Sequence, residues 1–308
     1  MDALIPVVLF VYARPEYLKR TLECLKENQI PRLYAFCDGA KTPDLEPKVS
    51  EVRKMLHNID WCEMHLVERE ENLGLGKSII SGVTEMFEKF EMILVFEDDL
   101  VCVPGTYQYL CAALRHYRND NRVMSVTGWT HPLFIPKDIK NEPYFDGRTE
   151  CLSWGAWRRS WDGMDRDSLS LMNDCVGRHI DIYQYGADLV EMARVEKVRN
   201  IWAVRFAFLH LFKGGLCLRP PHSMVEHIGY NFTATNATSI PKYYNEHLEP
   251  APIIPEQWPE AKENLECSKL WQNECGSQPT YAVISPSLVI KWVNKIISRI
   301  SFLIDRNK

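Results

Sequence analysis

Residues 92–105 read MILVFEDDLVCVPG, five apolar residues running straight into three acids, Glu97, Asp98 and Asp99. An apolar run of that length with no polar alternation is the pattern of a strand buried on both faces. The acids then fall at the carboxyl end of that strand. Carboxylates crowded there repel one another and lose hydration, a costly arrangement unless a cation neutralises it. Hard oxygen donors of this kind suit Mg2+ or Mn2+. The same acids would also serve to cap a helix after Pro104 or to face solvent, and the triplet alone does not separate these readings.

Upstream, strand and helix alternate. Ile5 to Tyr12 is an apolar run of strand length, and Pro15 can open a helix whose apolar positions Leu18, Leu22 and Leu25 recur at helical spacing. Leu33 to Cys37 forms a second strand, ended by Asp38-Gly39. A helix over Lys48 to Met55, a strand near Met64 to Val67 and a helix over Leu75 to Phe90 lead back to the quoted stretch. Strand-helix units in this order predict an α/β fold, a parallel sheet with helices on both faces whose ligands bind beyond the carboxyl ends of the strands. Those ends carry Arg14, Asp38, Glu68 with Arg69, and Glu97-Asp98-Asp99. The segment Asn72-Leu-Gly-Leu-Gly-Lys77-Ser78 is only a faint echo of a phosphate-binding loop, with the wrong spacing.

Composition narrows the function. The chain has 308 residues, 46% of them hydrophobic, enough for a sizeable core, and its net charge of −5 supplies no basic field for nucleic acid. The first residues carry no basic segment or small-residue cleavage site, so the opening apolar run is read as a strand and the protein is expected in the cytoplasm. The ten cysteines are scattered without CxxC pairs, which predicts reduced core residues rather than disulfides. On that reading the sequons at Asn231 and Asn236 are accidental.

Taken in order, the motifs VVLFVYARPEYLKRTLECL, FCDGA, ENLGLGKSI, ILVFEDDLVCVPGTYQYL, HYRNDNRVMSVTGW, SWGAWRRSWD, NIWAVR and GGLCLRPPHSMVEHIGY, between Pro6 and Thr238, resemble those of nucleotide-sugar-dependent glycosyltransferases of the GT-A fold. More narrowly they are similar to the N-acetylglucosaminyltransferase I group and to bacterial sugar transferases of cell-surface polysaccharide synthesis. The resemblance implies a Rossmann-like nucleotide-binding sheet with an acceptor-binding half. It implies that Asp99 ligates a divalent metal, Mn2+ or Mg2+, bridging the donor diphosphate, with His227 (or His222) completing the site. Glu97 and Asp98 would contact the sugar and ribose side, Asp38 the nucleobase or ribose, and the backbone from Val11 and Tyr12 to Arg14 the underside of the base. Arg69 and Lys77 would meet the diphosphate, and the donor base implied is uracil.

Past Gly128 aromatics become dense and helices are expected to dominate. Trp129, Trp154, Trp157 and Trp161 lie close together, and aromatic faces suit sugar rings as well as cores. Ser153 to Trp157 resembles a Trp/Gly turn beside the donor sugar, which assigns Trp154 to the site, whereas Trp161 is read as core. An inverting transferase needs a general base at the acceptor hydroxyl. In the related enzymes it is an Asp two residues before a Trp-x-x-Arg stretch, and the matching residue here is Asn200, which cannot take a proton. Glu196 and Glu226 are the candidate substitutes, and Arg205 is a candidate phosphate contact. Met224 to Tyr230 reads as a strand entering a lid loop at 229–240.

The division expected is a nucleotide-sugar half (1–128), an acceptor half (129–245), a Pro-rich connector (246–285) and a C-terminal amphipathic helix (286–308). In that helix Leu288, Trp292, Ile296 and Ile300 share one stripe and Lys291, Lys295 and Arg299 oppose it, which suits the plane of an anionic membrane. The expectation is a metal-dependent, inverting glycosyltransferase that moves a sugar to a hydroxyl of a cell-surface glycan, of lipopolysaccharide, O-antigen or capsule type. Its acceptor can be lipid-linked, and the enzyme would sit peripherally on the inner face of the membrane. The alternatives are a nucleotidyltransferase, which would show a Gly- and Lys/Arg-rich loop after the first strand, and a catalytically inactive sugar-binding relative, for which Asn200 is the argument.

Overall fold

The structure, a computed structural model, describes residues 4–229 and 248–277. Residues 1–277 cluster as one compact unit and 278–308 as a second, which lies wholly outside the described residues. The expected membrane helix, most of the lid loop and both sequons therefore fall outside what is described.

The first half follows the sequence pattern. Strand β1 (Val7–Val11), helix α1 (Pro15–Glu27), β2 (Arg32–Cys37), α2 (Glu46–His57), β3 (Glu63–Glu68), α3 (Leu75–Lys89) and β4 (Met92–Glu97) form the parallel order β3-β2-β1-β4. Alternate residues of β1 enter two separate cores. Val7, Leu9 and Val11 pack with α1, α2 and a later helix, while Val8 and Phe10 pack with α3 on the other face. A strand covered on both faces has no polar side, which is why its sequence is apolar throughout.

After β4 come β5 (Leu100–Cys102), α4 (Thr106–His116), β6 (Val123–Thr127), β7 (Tyr144–Asp146), β8 (Trp154–Trp157), α5 (Arg158–Trp161), α6 (Ser168–Gly177), α7 (Ala187–Arg199), α8 (Ala203–Lys213), β9 (Leu216–Arg219), β10 (Val225–His227) and α9 (Glu266–Cys275). The sheet continues as β4-β8-β6-β9-β7, with β8 antiparallel to both neighbours. No sheet boundary falls at residue 128: one eight-stranded sheet runs through both expected halves.

Two segments differ from the sequence reading. Ser153 to Trp157 is not a turn but carries strand β8, wedged between β4 and β6. A Cβ on Gly155 would lie 2.6 Å from Leu94 Cδ2 and 3.1 Å from the Ile93 carbonyl, so glycine is what lets this short strand approach its neighbours. The connector also carries structure. Its helix α9 buries Trp271, which stacks on Phe134 at 3.7 Å between centroids and donates from Nε1 to Asp146 at 2.8 Å. Proline-rich composition upstream obscured a docking helix. The ten cysteines are free, with Cys62 and Cys275 partly exposed and the others buried.

Candidate active site at the carboxyl end of strand β4

The three acids take different positions because the chain turns between them. Glu97 ends β4, Asp98 and Asp99 form the turn, and β5 leaves antiparallel to β10 in a separate two-stranded sheet. The register pairs Leu100 with His227, which brings His227 Nε2 to 3.2 Å from Asp99 Oδ2, and the Ile228 amide donates to the Asp99 carbonyl at 2.9 Å. From the end of β1, Arg14 donates to Asp99 Oδ2 at 2.5 Å and to the Gly229 carbonyl at 3.1 Å. A Cβ on Gly229 would lie 2.1 Å from Asp99 Oδ2, so only glycine permits that approach. Asp98 points back instead: its Oδ2 accepts from the Tyr12 amide at 3.0 Å and its carbonyl from Thr21 Oγ1 at 2.8 Å.

Electrostatics separates the acids further. Burial, then the charge of Asp99, pushes Asp98 up to about 7. Glu97, although not fully covered, is pushed up to about 8 by burial and by both neighbouring acids. Burial would raise Asp99 as well, but the hydrogen bond and charge of His227 and the Arg14 guanidinium outweigh it and hold Asp99 below the ordinary carboxylate range. Asp99 is thus the most acidic of the three. Its Oδ1 is buried without a hydrogen-bond partner among the described residues, an orphan acceptor that an internal ligand ought to satisfy. Asp99 and His227 fit a divalent cation as two protein ligands. No group of three or more His, Cys, Asp or Glu suited to a metal occurs among the described residues. The rest of a coordination shell would come from substrate phosphate and water, the usual manner of Mg2+ and its like.

Beside this point lies a cavity of about 240 Å3. Glu226 and His227 of β10 line it with Trp129, the segment from Arg148 to Leu152, and residues of α7 and α8. Arg148 pairs with Asp188 through two hydrogen bonds of 2.9 and 2.7 Å and lies 4.1 Å from the centroid of the Trp271 ring. The cavity thus holds the carboxylates Glu150, Asp188 and Glu226, one guanidinium and an aromatic face, a set that can bind hydroxyls. Of these Glu150 and Arg148 carry no spacing signal in the sequence. They follow β7 in an irregular segment, and only the sheet places them.

Other residues singled out from the sequence lie elsewhere. Asp38 is buried with all four acceptor positions used inside the chain: Oδ1 accepts from Arg69 at 2.8 Å and Ser78 Oγ at 3.1 Å, and Oδ2 from the amides of Leu73 and Gly74 at 2.9 and 3.1 Å. Arg69 also donates to Ser78 and Ser81 and lies over the Phe36 ring. Asp38 and Arg69 therefore shape the 72–78 segment, while the Lys77 side chain is exposed beside it.

Asn200 closes the same segment from the far side. It caps α7 in the left-handed conformation (φ 51°, ψ 44°), which Asn tolerates better than most residues. Its carbonyl accepts from the Gly76 amide at 2.9 Å, its Oδ1 from the Lys77 amide at 3.2 Å, and its Nδ2 donates to the Leu73 carbonyl at 3.2 Å. Asp38 therefore satisfies the Leu73 and Gly74 amides just ahead of α3 and Asn200 those of Gly76 and Lys77 in its first turn, and the glycines serve close packing: a Cβ on Gly76 would lie 2.5 Å from the Asn200 carbonyl oxygen.

Glu196 and Arg205 satisfy each other. Glu196 is 3% exposed. Its Oε1 accepts from Arg205 Nε and Nη2 at 2.8 and 2.5 Å, and its Oε2 from the Ser168 amide and hydroxyl at 2.7 and 2.5 Å. Neither is among the residues lining the cavity. Trp154 is likewise core, 1% exposed and packed against Trp161, Trp202 and Phe206 at centroid distances of 5.7, 5.3 and 5.2 Å. Of the three candidate bases, the structure brings only Glu226 to the cavity. His222 Nε2 donates to the Pro250 carbonyl, 2.8 Å away.

Neither a family model nor a curated protein matches the chain. Among solved structures, a mannosyltransferase from Pyrobaculum calidifontis in complex with GDP-Man and Mn2+ is similar over 51% of this chain and 45% of its own, at 16% identity and a TM-score of 0.37. S. aureus TarS residues 1–349 are similar over 72% of this chain and 60% of that one, at 10% identity and a TM-score of 0.40. An apo UDP-glucose pyrophosphorylase is similar over 73% of this chain and 93% of its own, again at 10% identity and 0.40. The chain thus spans less than half of the first of these proteins and three fifths of the second.

Proposed function

We propose that the protein is a metal-dependent, inverting glycosyltransferase with a GT-A-type fold. It would transfer a sugar from a nucleoside diphosphate, UDP by the sequence resemblance, to a hydroxyl of a cell-surface glycan. The observation that carries the reading is the pair Asp99 and His227: a buried anion with an orphan oxygen, at the carboxyl end of a central strand, where α/β sheets bind ligands, next to a cavity holding a carboxylate.

On this reading Asp99 and His227 hold Mn2+ or Mg2+, which when bound offsets charge on the departing diphosphate. Arg14, fixed beside Asp99, adds a preorganised positive charge to the same region. The cavity takes the sugar, with Trp129 against its apolar face and the Arg148–Asp188 pair at its hydroxyls. Glu226 receives the proton of the acceptor hydroxyl. The new bond from acceptor oxygen to the anomeric carbon forms as the bond from that carbon to phosphate oxygen breaks, and the diphosphate leaves with the electron pair. Because Asn200 is occupied as a helix cap, its lack of basicity does not favour an inactive protein. The proposed place of work, the cytoplasmic face of a membrane with a lipid-linked acceptor, rests on the amphipathic pattern of residues 286–308. No helix among the described residues is long and apolar enough to cross a membrane.

The test is release of nucleoside diphosphate from a panel of nucleotide sugars with Mn2+. Release by the wild type that is lost in Asp99→Asn supports the reading, whereas release that Asp99→Asn leaves intact, or none from any donor or acceptor tried, defeats it.

A further inference from the structure

A chain of three hydrogen-bonded side chains runs from the core to the cavity wall. His210 of α8 and Ser125 of β6 are fully buried, and Thr149 lines the cavity. His210 Nδ1 lies 2.9 Å from the Phe206 carbonyl, His210 Nε2 lies 2.8 Å from Ser125 Oγ, and Ser125 Oγ lies 3.0 Å from Thr149 Oγ1.

The direction of each bond follows from elementary valence. A carbonyl oxygen only accepts, so Nδ1 carries the proton. A neutral imidazole has one N–H, which leaves Nε2 as an acceptor. Burial keeps His210 in that neutral form by pushing its pKa down to about 4. The Ser125 hydroxyl must then donate to Nε2. Cys217 also lies within reach of Ser125, but a thiol sulfur is a weak acceptor beside an imidazole nitrogen. With its one proton committed, Ser125 can only accept from Thr149. Thr149 in turn has spent its proton inward, and its oxygen retains only acceptor capacity.

We infer that Thr149 is a specificity-determining residue: its hydroxyl, held as an acceptor by Ser125 and His210, receives a hydrogen bond from a hydroxyl or amide N–H of the sugar in the cavity. This rests on the nucleotide-sugar reading given above. A carbonyl, carboxylate or fluorine at that point of the ligand meets a lone pair and gains nothing. The opposite imidazole tautomer would lose the bond to the Phe206 carbonyl, reverse the two hydroxyl bonds and invert the preference, so the polarity of a wall residue is set by a histidine two side chains behind it. Ser125 and His210 are positioning residues in this scheme.

The experiment has two arms. In the first, 15N spectra of histidine-labelled protein report the His210 tautomer. Protonated Nδ1 with bare Nε2 is expected, and a protonated Nε2 overturns the inference. In the second, calorimetry compares UDP with a panel of UDP-sugars, each deoxygenated or deoxyfluorinated at one ring position. The single hydrogen bond lost in Thr149→Val should weaken intact UDP-sugar binding by about three- to tenfold and leave UDP unchanged, and Thr149→Ser should restore it. At one ring position the fluorinated sugar should bind as poorly as the deoxygenated one in the wild type, and that deficit should vanish in Thr149→Val. Equal weakening of UDP and UDP-sugar, failure of Thr149→Ser to restore binding, or fluorine rescuing the deoxygenated sugar overturns the inference. If wild-type protein takes up no UDP-sugar, the functional reading itself fails in the wild-type arm, and this inference falls with it.

Discussion

The Gly76 amide donates to the Asn200 carbonyl at 2.9 Å, and the Asn200 side chain bonds Leu73 and Lys77 on either side of it. The residue that sequence alignment would cast as a missing base is therefore the clasp between the end of α7 and the start of α3. Asn200→Ala loses both side-chain bonds and places a less tolerant residue in the left-handed region, a loss of about 1–3 kcal/mol. Asn200→Asp cannot donate to Leu73 and is expected to lower stability without raising turnover. Urea unfolding and a donor-release assay on the two variants check this. A gain of turnover in Asn200→Asp would restore the catalytic assignment of position 200.

The buried Glu196–Arg205 pair should behave as structure. Removing one partner of a hydrogen-bonded buried pair leaves an uncompensated charge, so Glu196→Ala is expected to lose about 3 kcal/mol or more of folding free energy. Turnover per folded molecule should remain within a few-fold of wild type. A stable Glu196→Gln protein whose turnover collapses would instead make Glu196 the base.

Glu226→Gln is the complementary case. It keeps the size of the side chain and removes its basicity, so turnover should fall by about a hundredfold or more while UDP affinity is retained. Steady-state kinetics together with calorimetry separate the two quantities, and unchanged turnover would exclude Glu226 as the base.

His210 gives the fold an acid sensitivity. Its pKa is pushed down from 6.5 to about 4 by burial, so the folded state binds this proton less readily than the unfolded chain. The contribution is fully present above pH 6.5 and is lost as pH falls toward 4. By linkage it amounts to about 3 kcal/mol. Unfolding curves collected from pH 7 to pH 4 should show this slope in the wild type and a shallower one in His210→Gln.

How much of this was legible in the sequence depends on the range of the interactions involved. The elements from β1 to β4 are set by local periodicity and by breakers such as Pro15 and Asp38-Gly39, and they formed where the pattern placed them. Asp99 was singled out from its neighbours by the family resemblance alone, and what sets it apart in the structure, Arg14 and His227 closing on it, is fixed by distant pairing. What failed to show was everything fixed by distant pairing. Trp154 looked like a sugar platform because four residues around a glycine give no strand signal, and only β4 and β6 together make Trp154 to Trp157 a strand. Glu196 looked available because nothing in the sequence reveals that the turn into α8 folds Arg205 onto it. Arg148, Thr149 and Glu150 had no pattern at all. Asp146, held by Arg219 Nε at 2.7 Å and by Trp271 Nε1 at 2.8 Å, anchors the start of that wall through partners far along the chain.

The central claim, that Asp99 and His227 hold a divalent cation against a diphosphate, is met most directly by calorimetry of UDP binding with and without Mn2+. The account predicts that Mn2+ tightens UDP binding to the wild type by about tenfold or more, a coupling of ordinary size, and that the gain disappears in Asp99→Asn and shrinks in His227→Ala. UDP binding that is indifferent to Mn2+ in the wild type, or a gain that survives in Asp99→Asn, would contradict it.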